Sequence, residues 1–152
     1  MHRYEATISW SRNGARFTDN RYPRAHEWRF DGGAVVPASS SPQVVPVPLS
    51  SEAAVDPEEA LVAAASSCHM LWFLSIAARR GFVVEHYRDH PVGVMEPDRA
   101  GKLAFTRITL RPRIEFNEES CPAPDELRAI HDAAGEECYI ARSLKAEIVI
   151  EE

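Results

Sequence analysis

The 152-residue chain is short of cysteine: Cys68, Cys121 and Cys138 are an odd number at wide spacing. That excludes the paired framework of a secreted disulfide scaffold. It also lacks an excess of basic charge. Seventeen Lys and Arg against 23 Asp and Glu leave a net charge of −6, so no nucleic-acid surface built on positive charge is expected. The start, MHRYEATISW, has neither the basic opening nor the apolar run of a signal peptide, which points to the cytoplasm. No C-x-x-C or H-E-x-x-H occurs, and His86 and His90 sit in strand-like sequence, so no metal or other cofactor is expected. Repeats and low-complexity stretches are missing too, which leaves one domain over residues 1–152. The one stretch that could be mistaken for a membrane span is Ala60 to Ala78, which is apolar and has no Asp, Glu, Lys or Arg. Its centre, Ser66-Ser67-Cys68-His69, is costly at mid-bilayer, so a helix buried inside a soluble protein is expected and no membrane partner.

With 45% hydrophobic and 26% charged residues, the chain can bury a core without staples. Residues 3–10 alternate, with Tyr4, Ala6, Ile8 and Trp10 on one face, which predicts a half-buried strand. HEWRF alternates likewise, and Asp31-Gly32-Gly33 reads as a hairpin turn into Ala34–Val36. Residues 37–55, rich in Ser, Pro and Val, suit an extended loop. Asp56-Pro57-Glu58-Glu59 then announces a helix: an N-cap, a proline at the first position and a capping-box glutamate. Gly81 closes it beyond Arg79 and Arg80, so the helix should run from about Pro57 to Arg80. Apolar on nearly every side, it must be central and covered all round. Two strand-like stretches follow, FVVEHYRDHPVGVM and KLAFTRITLRPRIEF, the second changing phase between Phe105 and Ile108 as at a bulge. DELRAIHDAAGEEC places Leu127, Ile130, Ala134 and Cys138 on one helical stripe, and a short turn and SLKAEIVIEE close an α+β order.

Cys68 lies at mid-helix with Ala64, Ala65, Leu71 and Trp72 beside it. A free cysteine in such a place is commonly an inert core residue. Cys138, also on an apolar stripe, makes a second reading available: a redox dithiol on two packed helices. Cys121, before Pro122 in a loop, has no activating neighbour. His69 invites a cysteine hydrolase, but consecutive helical residues diverge by about 100°, so it is badly placed as the base for Cys68.

DPEEALVAAASSC together with AGEECYIARSLKAEI resembles the OsmC and Ohr family of peroxide-reducing proteins over nearly the whole chain. The resemblance implies an OsmC-like α+β fold, with sheets wrapped around long central helices in an intertwined homodimer. It also implies a thiol peroxidase for organic hydroperoxides, regenerated by a dithiol such as dihydrolipoamide. Cys68 matches the peroxidatic cysteine, Cys138 the resolving one, and Glu58 the glutamate that holds a catalytic arginine. Arg24 is our choice for that arginine, with Arg16 and Arg21 as alternatives. Trp72, Leu71 and Trp28 are the expected substrate-pocket residues. The chemistry needs such a set: a guanidinium favours the thiolate, and a buried guanidinium needs a carboxylate. SCHMLWFL departs from the family's usual Ala-Cys-Phe and bears on substrate preference. A redox sensor or small-molecule binder on the same fold is the alternative function.

Overall fold

A computed structural model describes residues 1–151, and the chain forms two compact units, one up to Ala60 and one from Leu61 onward. The first is an antiparallel sheet of β1 (Ala6–Ser9), β2 (His26–Phe30) and β3 (Val35–Ala38), in the order β1-β2-β3. Ile8 pairs with Trp28 and Trp28 with Val36. The expected Asp-Gly-Gly turn joins β2 to β3, with Gly33 at φ 92, a conformation that only glycine adopts without strain. The predicted strand over residues 3–10 is shorter than its alternation, and all four residues of β1 are exposed. The loop after β3 is stitched back to it: Ala38 bridges Val55, and the Ser51 N–H donates to Ser39 Oγ at 3.0 Å. Asp56 then caps the next element as its sequence predicts. Its Oδ1 accepts the Glu59 N–H at 2.8 Å, while Glu59 Oε1 accepts the Asp56 N–H at 2.9 Å.

That element is α1 (Pro57–Arg79), and its far end closes in the Schellman pattern. The Phe82 N–H donates to the Ala77 carbonyl at 3.0 Å, the Gly81 N–H to Ala78 at 3.1 Å, and Gly81 has φ 85. In the second unit α1 is the core helix. Phe73, Ile76 and Ala77 pack with Ile130 and Ala134, and Ala65 packs with Ile108, Leu110 and Ala146. Length and apolar composition alone would let α1 cross a membrane, and these two clusters bury part of its apolar surface. Its own chain does not cover it all round, however. Ala63, Ala64, Ser67 and Leu71 stay exposed, Leu71 at 60%.

The two strand-like stretches after Gly81 form four strands: β4 (Val84–Arg88), β5 (Val92–Pro97), β6 (Leu103–Leu110) and β7 (Arg113–Phe116). β5 pairs with β6 and β4 with β7, so the ladder of one long hairpin is interrupted midway. Pro91 and Pro112 stand at the interruption and have no N–H to give. The Arg111 N–H there donates to Asp89 Oδ1 at 2.6 Å instead of to a facing strand. The phase change is a bulge at Thr106, since Val94 faces Arg107 and Met95 faces Phe105. α2 (Pro124–Glu137), α3 (Tyr139–Ser143) and β8 (Glu147–Ile150) follow, with β8 laid parallel beside β6.

Candidate functional site

In the second unit Cys138 stands between α2 and α3 and begins α3: the Ala141 N–H donates to its Sγ at 3.4 Å. It is 1% exposed, and its S–H donates toward Cys68, which is half-buried on α1. Burial pushes the Cys138 thiol up to about 11, with the hydrogen bond to Cys68 adding to the effect. At neutral pH Cys138 is therefore protonated, and both cysteines are free and near enough to act on one another. Two free thiols so placed are the partners that a disulfide needs. Cys121 is exposed, and its S–H donates to its neighbour, the Pro122 carbonyl, at 3.6 Å.

In the first unit the loop between β1 and β2 builds an aromatic wall. Phe17 and Tyr22 stack with centroids 4.7 Å apart, and Trp10 meets Tyr22 edge-on at 5.4 Å. Trp10 is anchored by its indole N–H, which donates to the Pro23 carbonyl at 2.8 Å. These rings, with Ile8, His26 and the first turn of α1, line an open cavity of about 530 Å³. Arg24 and Glu58 line it as well. The Arg24 guanidinium lies 3.7 Å over the Tyr22 ring and donates to Asn20 Oδ1 at 3.0 Å, to the Asn20 carbonyl and to the Tyr22 carbonyl. All these acceptors are neutral, so its charge is held in place without being neutralised. Glu58 Oε2 is buried and makes no hydrogen bond. Among the described residues, then, one chain does not join Arg24 to Glu58. Arg16 and Arg21 are exposed and do not line the cavity.

The three expected pocket residues have different fates. Trp28 does not line the cavity but acts on a residue that does: its indole N–H donates to His26 Nε2 at 3.0 Å. Trp72 is half-buried against the core and meets Tyr139 edge-on, next to Cys138. Leu71 lies on the open face of α1. Of the small residues Ala63, Ala64 and Ala65, the last is inside the core of its own chain and the first two are exposed.

Sequence reasoning did not find the polar cluster behind Cys68. His69 Nε2 lies 3.0 Å from His131 Nδ1, with the rings stacked at 5.3 Å, and Phe73 rests 4.5 Å from His131. Burial first, and then His131, pull His69 down to about 4, against the opposing pull of Asp89. His69 is thus neutral at ordinary pH, and it faces His131 instead of serving its neighbour Cys68. No local cue exists in the sequence, because the partner lies 62 residues away. Among the described residues no three His, Cys, Asp or Glu side chains converge as metal ligands do.

The OsmC family model, described as OsmC-like protein, matches residues 50–152. A solved OsmC-like protein of unknown function from Vibrio cholerae is 51% identical, with 99% of each chain covered and a TM-score of 0.97. At the level of fold alone, the organic hydroperoxide resistance protein OhrB of Bacillus subtilis is similar at 13% identity, with 99% of this chain and 97% of that one covered and a TM-score of 0.69. An organic hydroperoxide resistance protein OsmC from Legionella pneumophila is similar at 10% identity, covering 99% and 95%, with a TM-score of 0.66. Among curated proteins none matches. The match over two-thirds of the chain and the full-length likeness at 51% identity place this protein in the OsmC-like family.

Proposed function

We propose that the protein is a cytoplasmic, homodimeric thiol peroxidase that reduces organic hydroperoxides without a cofactor, a single OsmC-like domain over residues 1–152. The observation that carries this reading is the facing pair of free thiols, with Cys138 held protonated beside Cys68. Cys68 as thiolate attacks the terminal peroxide oxygen. The O–O bond breaks, the alkoxide takes a proton and leaves as alcohol, and Cys68 becomes a sulfenic acid. Cys138 then attacks the Cys68 sulfur, water leaves, and a disulfide forms. A dithiol of the dihydrolipoamide type reduces that disulfide, returning both thiols and becoming a disulfide itself. Proteins on the same fold that are named for organic hydroperoxide resistance agree with this assignment.

Arg24 and Glu58 are the charge pair of the reading, and the dimer supplies what one chain lacks. Glu58 and Cys68 are ten residues apart on α1, so roughly 15 Å separates them along the axis. Two α1 helices packed antiparallel through Ala63, Ala64, Ser67 and Leu71 would bring Glu58 and Arg24 of one subunit toward Cys68 of the other. An orphaned carboxylate oxygen in each chain and an open small-residue face on α1 both support it.

The test is steady-state turnover of cumene hydroperoxide against hydrogen peroxide with dihydrolipoamide. Parent protein should turn over the organic substrate faster. Cys68→Ser should be inactive, Cys138→Ser should react once and accumulate oxidised Cys68, and Cys121→Ser should match the parent. A single oxidation of Cys68 without turnover in the parent would make the protein a sensor instead. Mixed Glu58→Ala and Cys68→Ser subunits, co-refolded, should regain activity through heterodimers.

A further inference from the structure

α1 is apolar on nearly every side, so burial alone gives little preference for which face points where. Rotating it by one residue, about 100°, would exchange one set of small and apolar side chains for another and carry Cys68 away from Cys138. The second unit contains two buried polar contacts that remove this freedom. His69, 1% exposed, meets His131 of α2 at 3.0 Å. Ser66, 9% exposed, donates from Oγ to Asp89 Oδ2 in the gap between β4 and β5. The same carboxylate is fixed from its other oxygen by the Arg111 N–H at 2.6 Å.

Ser66 and His69 are three residues apart, so they leave α1 about 60° from each other and reach two different elements. Two such anchors define a rotation, which one cannot. Cys68 is the residue next to His69, and Cys138 lies seven residues, two turns, beyond His131 at the end of the same helix. Asp89 acts on His69 through its charge, and Phe73 of α1 rests 4.5 Å from His131. Moving either helix against the other must stretch a bond buried from water, whose loss leaves a polar atom unsatisfied.

We propose that the His69–His131 and Ser66–Asp89 contacts are positioning elements that lock the rotation of α1 and so hold Cys68 opposite Cys138. The inference rests on the reading of the two cysteines as a working pair, but not on hydroperoxide being the oxidant. Its readout is the equilibrium of the protein dithiol with glutathione disulfide: two protein thiols are oxidised to one disulfide while one glutathione disulfide is reduced to two glutathiones. This gives the effective concentration of Cys138 toward Cys68 without any peroxidase assay.

Glutamine keeps a hydrogen-bonding atom where His69 has Nε2, and leucine fills similar space without one. His69→Leu should lower the effective concentration about five- to tenfold, the worth of one neutral hydrogen bond, and His69→Gln should restore it to within about twofold of the parent. Ser66→Ala leaves almost no cavity and should fold in any case; it should lower the value about threefold. Parent-like values for the folded leucine and alanine variants would overturn the proposal. So would equal losses in His69→Leu and His69→Gln, because that marks a packing role and not a hydrogen-bonded lock. Failure of the parent to turn over hydroperoxide would defeat the peroxidase reading while leaving this equilibrium, and the proposal, standing.

Discussion

The two units of the chain solve burial differently. From Leu61 onward, large side chains are enclosed: Phe73, Ile108, Leu110 and Ile130 are all 0% exposed. Up to Ala60, the buried residues are Ala38, Ser39, Ser41 and Ser50, while Ile8, Trp10, Phe17, Phe30 and Val35 remain exposed. One unit thus carries a hydrophobic core of its own, and the other carries a sheet whose apolar residues await cover. The thiols lie in the first kind of environment and the open aromatic cavity in the second. The thiol pair is held by a closed core, whereas the walls of the cavity are open on the surface of their own unit.

The largest expected effect separates the units by stability. Phe73→Ala should cost about 3–5 kcal/mol in urea unfolding, because it empties a closed site. Trp10→Ala should cost only about 1–2 kcal/mol, for a ring contact and one indole hydrogen bond. An equal cost would show Trp10 to be covered by a second copy, and repeating the pair of measurements across protein concentration would reveal it.

The next effect belongs to the core alone. His69 is held near 4 in the folded chain against about 6.5 when unfolded, so between these values the unfolded chain binds the extra proton. Stability should be complete above pH 6.5 and fall as the pH drops toward 4, by on the order of 3 kcal/mol. His69→Gln should flatten that slope, and an unchanged slope would assign it to other groups.

A smaller effect tests how tightly the core is filled. A Cβ on Gly93 would stand 2.5 Å from Phe105 and 2.6 Å from Val62. Gly93→Ala should therefore cost about 1–3 kcal/mol, read as a lowered melting temperature, as those two side chains are driven aside.

The smallest effect is chemical and resides in the open unit. Arg24→Ala should slow alkylation of Cys68 near neutral pH about tenfold while leaving the melting temperature nearly unchanged, and higher pH should recover the rate. If Arg16→Ala or Arg21→Ala slows it instead, the guanidinium role moves there.

The limits of α1 are readable in the sequence because its stop and start signals are local: Asp56, Pro57 and Glu59 at one end and Gly81 at the other act within one turn of themselves. The bulge at Thr106 is readable for the same reason, as a change of phase within one strand. Splitting of the long hairpin depends on Pro91 and Pro112 lying opposite each other, which a reading of either stretch by itself does not show. The thiols and Glu58 stand out through motif and resemblance, whereas no motif separates Arg24 from Arg16 and Arg21. The aromatic wall does not, because Trp10, Phe17 and Tyr22 meet only when their loop folds back. Nor does the histidine pair: a satisfied core histidine is the ordinary outcome at such places, and the two rings meet through the packing of two helices far apart in sequence.

The sulfur at the start of α3 has one further consequence, which concerns chain entropy. Cys68 and Cys138 are 70 residues apart, and in an unfolded chain few conformations bring such distant residues together. In the folded chain the search is already complete, with one sulfur fixed by a backbone N–H and the other within hydrogen-bonding reach. A bond closed between them removes conformations from the unfolded ensemble and few from the folded one, a difference of about 4 kcal/mol in the loop-closure account. Each oxidation would then tighten the protein as a whole and each reduction would loosen it, so the thermal stability of the molecule reports which form of the dithiol it holds.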